Sequence, residues 1–76
     1  MHKVIAQWLY DMIMKDGEAY QRDVVEEIEQ RFGEDYVYEN ENGNLAIDKK
    51  ITAEFRKLNN KGLIEWDRSG FFWFKA

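Results

Sequence analysis

Lys49, Ala53, Arg56 and Asn60 recur at close to the helical period of about 3.6 residues. With Ile51, Phe55 and Leu58 as the buried line of one helix, these four share the opposite face, and Thr52 and Lys57 stand at its edges. Such a face suits the edges of base pairs. Arginine matches the two acceptors of guanine, asparagine matches the acceptor–donor edge of adenine, and a small alanine permits close approach. Lys49 and Lys57 are placed for phosphates, and Arg68, farther along, for a backbone or minor groove. The bland alternative is a solvated helix surface. Against it, Lys49 and Lys50 in a first turn oppose the helix dipole, an unfavourable placement that a partner would explain.

Charge is distributed in the same sense. The 76-residue chain carries a net charge of −4. Residues 1–43 hold 4 basic and 11 acidic side chains, and residues 44–76 hold 7 basic and 4 acidic ones. Such asymmetry fits a molecule with one face suited to an anionic partner; the bland alternative is chance segregation on a small surface.

A second group is apolar. Trp66, Phe71, Phe72, Trp73 and Phe74 crowd one short stretch of a chain that is 16% aromatic. Strand alternation sends Phe71 and Trp73 to one face and Phe72 and Phe74 to the other. If the helices cover one face, the other presents aromatics to solvent, to a second copy or to a different protein. If a small core recruits both faces, Trp8 and Met12 are there to cover them.

Other chemistries find no support. With no cysteine, disulfides, thiol catalysis and thiolate zinc sites are excluded. His2 has no serine or carboxylate at a triad-like spacing and reads as an exposed residue near the chain start. Glu26, Glu27 and Glu29 read as a solvated acidic helix face. Asn40-Glu41-Asn42-Gly43 fails as a calcium loop, because Tyr38 and Lys49 fall where acidic ligands belong. There is no glycine-rich phosphate loop and no nucleophile elbow. The expectation is a non-enzyme with no metal, cofactor or small-molecule substrate. Without a signal-peptide core or an apolar run of roughly 20 residues, a soluble cytoplasmic protein with no membrane association is expected.

The elements that must position these groups follow from periodicity and turn residues. Val4, Ile5, Trp8, Leu9, Met12 and Ile13 predict a first helix ending at Asp16-Gly17. After the short segment Glu18-Ala19-Tyr20, a second helix runs from about Gln21 to Phe32, with Val24, Val25, Ile28 and Phe32 inward and Gly33 as its stop. Tyr36-Val37-Tyr38 and Leu45-Ala46-Ile47, joined by Asn42-Gly43, form a small ribbon or an ordered loop. Asp48 caps a third helix over 48–61, which Gly62 closes. Leu63–Trp66 and Phe71–Phe74 read as two strands around Asp67-Arg68-Ser69-Gly70.

Helix, short extended segment, helix, helix, hairpin is the order of a winged helix. Phe55-Arg56-Lys57-Leu58-Asn59-Asn60-Lys61-Gly62-Leu63-Ile64-Glu65-Trp66, followed by a turn and Phe71-Phe72-Trp73, resembles the end of a winged-helix recognition helix and its wing. Tyr38 to Lys50 is similar to a family of small bacterial and phage proteins of unknown function with a winged-helix-like fold. That similarity extends over nearly the whole chain and carries no activity with it. The 14 residues of the 34–47 insertion replace a turn of about 3–4 residues, which leaves the placement of the second and third helices open. The expectation is a single α+β winged-helix-like domain over 1–76. Its core is Val4, Trp8, Leu9, Met12, Ile13, Val25, Ile28, Phe32, Ile51, Phe55, Leu58 and Ile64. The expected function is binding of double-stranded DNA through helix 48–61, in the manner of a transcription regulator. The alternative is a homodimer or protein-partner contact through hairpin 63–75.

Overall fold

A computed structural model describes residues 1–76. Helix α1 (His2–Asp16) buries Ile5, Ala6, Leu9 and Ile13, two rows that meet on one side of the cylinder. It stops at Gly17, whose φ of 90° is the left-handed conformation that glycine adopts without a Cβ clash; its N–H closes on the Ile13 carbonyl at 2.7 Å. Strand β1 (Glu18–Tyr20) leads directly into helix α2 (Gln21–Phe32), which turns Val24, Val25 and Ile28 inward. A single 3-10 turn, Glu34–Tyr36, opens the insertion.

The insertion is a ribbon: β2 (Val37–Glu39) pairs antiparallel with β3 (Leu45–Ile47). Its connection is wider than a two-residue Asn-Gly turn. Asn40 organises it, the side-chain Oδ1 accepting the N–H groups of Asn42 and Asn44 at 3.0 and 3.1 Å. Gly43 takes the left-handed position within that loop, with φ 79°. The ribbon packs on α2 and sends Ala46 and Ile47 into the interior, so the insertion is part of the core.

Helix α3 (Lys49–Leu58) starts at Asp48, whose Oδ1 accepts the Lys50 N–H at 2.7 Å. It is shorter than the expected 48–61 span, ending at a C-cap on Asn59. Strands β4 (Ile64–Asp67) and β5 (Phe72–Lys75) form the terminal hairpin. The sheet order is β1-β5-β4, all antiparallel, so the short segment between α1 and α2 is the third strand beside the hairpin. The result is a compact α+β domain of three helices and two small antiparallel sheets, with α1 packed chiefly on α3. No helix is long and apolar enough to cross a membrane.

The core unites Ile5, Ala6, Leu9, Ile13, Val24, Val25, Ile28, Ile47, Ile51, Phe55, Ile64 and Trp73. Several expected members lie outside it. Val4 is 56% exposed because it lies a helical step of about 100° round from Ile5, away from the side that buries Leu9 and Ile13, and Leu58 is exposed at the last position of α3. Trp8, Met12 and Phe32 are half-buried at the rim. There the Trp8 ring meets Phe32 edge-on at 5.7 Å and the Arg31 guanidinium lies 5.8 Å from its centre. His2 is also more engaged than expected. It packs edge-on against Tyr36 at 5.6 Å, with Nε2 3.8 Å from the Asp48 carboxylate, and so joins the start of α1 to the start of α3.

Candidate functional site

The outward side of α3 is where the basic residues gather. Ile51 and Phe55 are buried, while Lys49, Lys50, Arg56 and Lys57 are exposed. Lys57 reaches Glu54 at 3.2 Å, one turn back on the same helix. Lys49, Lys50 and Arg56 have no carboxylate within ion-pairing distance, so three positive charges of α3 face solvent unneutralised. Arg56 and Lys57 occupy the last turn, where the helix dipole favours cations; Lys49 and Lys50 occupy the first, where it does not.

The other residues expected on this face differ in their availability. Thr52 is half-buried, and its hydroxyl donates to the Lys49 carbonyl at 3.0 Å, so it is occupied within the helix. Ala53 is half-buried between the two exposed rows. Asn60 is exposed but lies past the helix end, in the turn that leads to Gly62. The neighbouring Asn59, which sequence reasoning passed over, does the structural work there: its side-chain amide binds both the N–H and the carbonyl of Ile64. Arg68 is exposed in the hairpin turn and unpaired.

That turn is held by one carboxylate. Asp67 Oδ1 accepts from the Ser69 N–H at 2.9 Å, the Ser69 hydroxyl at 2.8 Å and the Gly70 N–H at 3.0 Å. The Gly70 amide and the two Ser69 donors hold the Asp67 carboxyl below its ordinary value of 3.8, since all three favour the charged form. Positive φ falls on Phe71, at 54°, and not on Gly70. Gly70 is needed for space: a Cβ there would come within 2.6 Å of the Phe72 ring. The left-handed turn at Phe71 aims its carbonyl at the Gln21 N–H, 2.9 Å away, which satisfies an open donor at the start of α2.

Because Phe71 lies in the turn, strand alternation begins at Phe72. Trp73 faces inward at 9% exposure and belongs to the core, which removes it from the expected interaction surface. Phe72 and Phe74 are half-buried on the opposite face. A chain of rings joins the interior to the turn. Tyr10 meets Phe55 at 6.2 Å, Phe55 meets Trp73 at 6.0 Å, Trp73 meets Trp66 at 4.8 Å, and Trp66 meets Phe71 at 6.3 Å. Its outer members emerge, Trp66 at 40% and Phe71 at 62% exposure.

No group of three or more histidine, cysteine or carboxylate side chains converges as metal ligands would. The arrangement offers unpaired cations on one helix and exposed rings at a hairpin tip.

The fold and these surfaces describe a small α+β domain. The chain belongs to a family of unknown function (DUF6953), whose family model matches residues 1–75. Comparison with curated proteins and with solved structures yields no match.

Proposed function

We propose that this chain is a non-enzymatic winged-helix DNA-binding domain of the transcription-regulator type, acting in the cytoplasm of a bacterium or phage-infected cell. The observation that carries the reading is the unneutralised basic face of α3, with Lys49, Lys50 and Arg56 exposed and free of carboxylates. Ten residues of α3 give a rod about 15 Å long, and a major groove about 12 Å wide admits it. The pairing of β1 with the terminal hairpin supports the winged-helix comparison, since it builds the three-stranded sheet from which a wing projects. With a chain charge of −4, attraction to phosphate must come from local basic groups, those of this face and Arg68. Arg56 takes a base edge, Lys49, Lys50 and Lys57 take phosphates, and Arg68 takes the backbone beside the wing.

The test is fluorescence anisotropy of a labelled random duplex at low and moderate salt, with the Lys49→Glu/Arg56→Glu variant alongside. Binding by the parent chain should weaken with salt; the variant should bind more weakly at every salt and lower the slope of log affinity against log salt by about 1, for the phosphate contact of Lys49. Equal binding by parent and variant, or no binding at low salt, would sink the proposal.

A second reading rests on the hairpin tip. Trp66 and Phe71 expose large apolar area next to each other, which suits a protein partner or a symmetric second copy.

A further inference from the structure

The face of the three-stranded sheet turned away from the helices carries only aromatic and acidic side chains. Its two cross-strand rows follow from the register. One runs Glu65–Phe74–Glu18, and the other runs Asp67–Phe72–Tyr20. The rings form a continuous strip, with Tyr20 5.1 Å from Phe72 and Phe72 5.8 Å from Phe74. Asp67 is committed to its turn, but Glu18 and Glu65 are exposed and unpaired. Strands about 4.8 Å apart place Glu18 and Glu65 on the two sides of Phe74, each within a side chain's reach of its ring.

We infer that this sheet face docks a basic segment of another protein, with an arginine or lysine laid over Phe74 between Glu18 and Glu65. A cation above an aromatic face is attracted by the ring quadrupole, and two flanking carboxylates supply the ion pairs. The strip continues past the edge of β1. Glu18 and Tyr20 also line a groove of about 290 Å³ with apolar Met12, Ala19 and Val24 and with the carboxylates Asp16, Asp23 and Glu27, the last already paired with Arg31. The apolar lining suits the aliphatic stem of a second basic side chain and the carboxylates of Asp16 and Asp23 its charged head. Phosphate is repelled here, so this surface and α3 select partners of opposite charge. The inference stands independently of the DNA reading.

The experiment titrates the 15N-labelled full chain with a short peptide of alternating arginine and alanine at low salt, and checks oligomeric state by sedimentation. Amide shifts should cluster at Glu18, Tyr20, Glu65, Phe72 and Phe74. Glu18→Gln/Glu65→Gln, which alters exposed positions only, should weaken binding about tenfold. Phe74→Leu keeps an apolar residue and should weaken it about threefold. Glu26→Gln/Glu29→Gln removes the same charge from the outward side of α2 and should leave binding within about twofold. Equal loss in the two glutamine pairs would reduce the effect to bulk charge and overturn the inference. So would shifts centred on α2, the absence of binding, or self-association that Glu18→Gln/Glu65→Gln abolishes.

Discussion

Asn59 grips Ile64 by both of its backbone polar groups. Its Nδ2 donates to the Ile64 carbonyl at 2.7 Å, and its Oδ1 accepts the Ile64 N–H at 3.0 Å. The side chain thereby substitutes for a neighbouring strand and ties the end of α3 to the outer edge of the sheet. Both groups are partly buried, so losing either bond leaves a polar atom poorly solvated. Asn59→Ala should cost about 1–3 kcal/mol in urea unfolding. Asn59→Asp should cost at least as much, because a carboxylate cannot donate and faces the Ile64 carbonyl. A cost below about 0.5 kcal/mol for both would show that the clamp does not hold the hairpin.

The buried and the exposed sides of α1 should separate sharply in the same assay. Ile5 is fully buried and Val4 beside it is largely exposed. Ile5→Ala removes packed methyl groups and should cost about 2–5 kcal/mol. That is a large share of the roughly 4–11 kcal/mol expected for a chain of this length. Val4→Ser should stay within about 0.5 kcal/mol.

Adjacent turn residues should respond with opposite sign. Phe71 holds φ 54°, a conformation that costs an L-residue about 1 kcal/mol and glycine almost nothing. Phe71→Gly keeps the carbonyl that caps α2 and loses chiefly the Trp66 edge contact, so thermal unfolding should be unchanged or shifted upward. Gly70→Ala drives a Cβ into the Phe72 ring and should lower the melting temperature.

The same positions explain what could be read from the sequence. The glycine stops of α1 and α2, the Asp48 cap and the terminal hairpin are encoded within a few residues, and cap and turn residue types mark them; the end of α3 is not, for it falls at Asn59 and not at Gly62. Burial along a stripe is different, because it depends on which neighbour lies opposite. Val4 and Leu58 satisfy the period and still protrude, while Ile47 enters the core only because the insertion folds back on α2. The pairing of β1 with β5 joins residues more than fifty positions apart and leaves no local mark. On α3 the basic types are legible; that Thr52 is occupied and Asn60 lies beyond the helix depends on where the helix ends. The outer sheet face was visible only as alternation in two of its three strands. Glu18 and Tyr20 complete it, and a three-residue strand is too short to announce itself.

Acidification should loosen the hairpin tip before it disturbs the core. The Asp67 carboxyl is held below its ordinary 3.8 by the Gly70 amide, the Ser69 hydroxyl and the Ser69 amide, all of which bind the charged form. A folded-state pKa depressed in this way contributes stability that is fully present above 3.8 and fades as pH falls from there through the lowered value. Amide signals of Ser69 and Gly70 should therefore hold steady down to about pH 4 and move below it, as the carboxyl protonates and the hydrogen bonds to it weaken. Asp67→Asn keeps one acceptor oxygen and removes the titrating charge. Its Ser69 and Gly70 signals should start closer to the loosened positions and stay flat across the same acid range. If they shift as the parent's do, another group controls the turn.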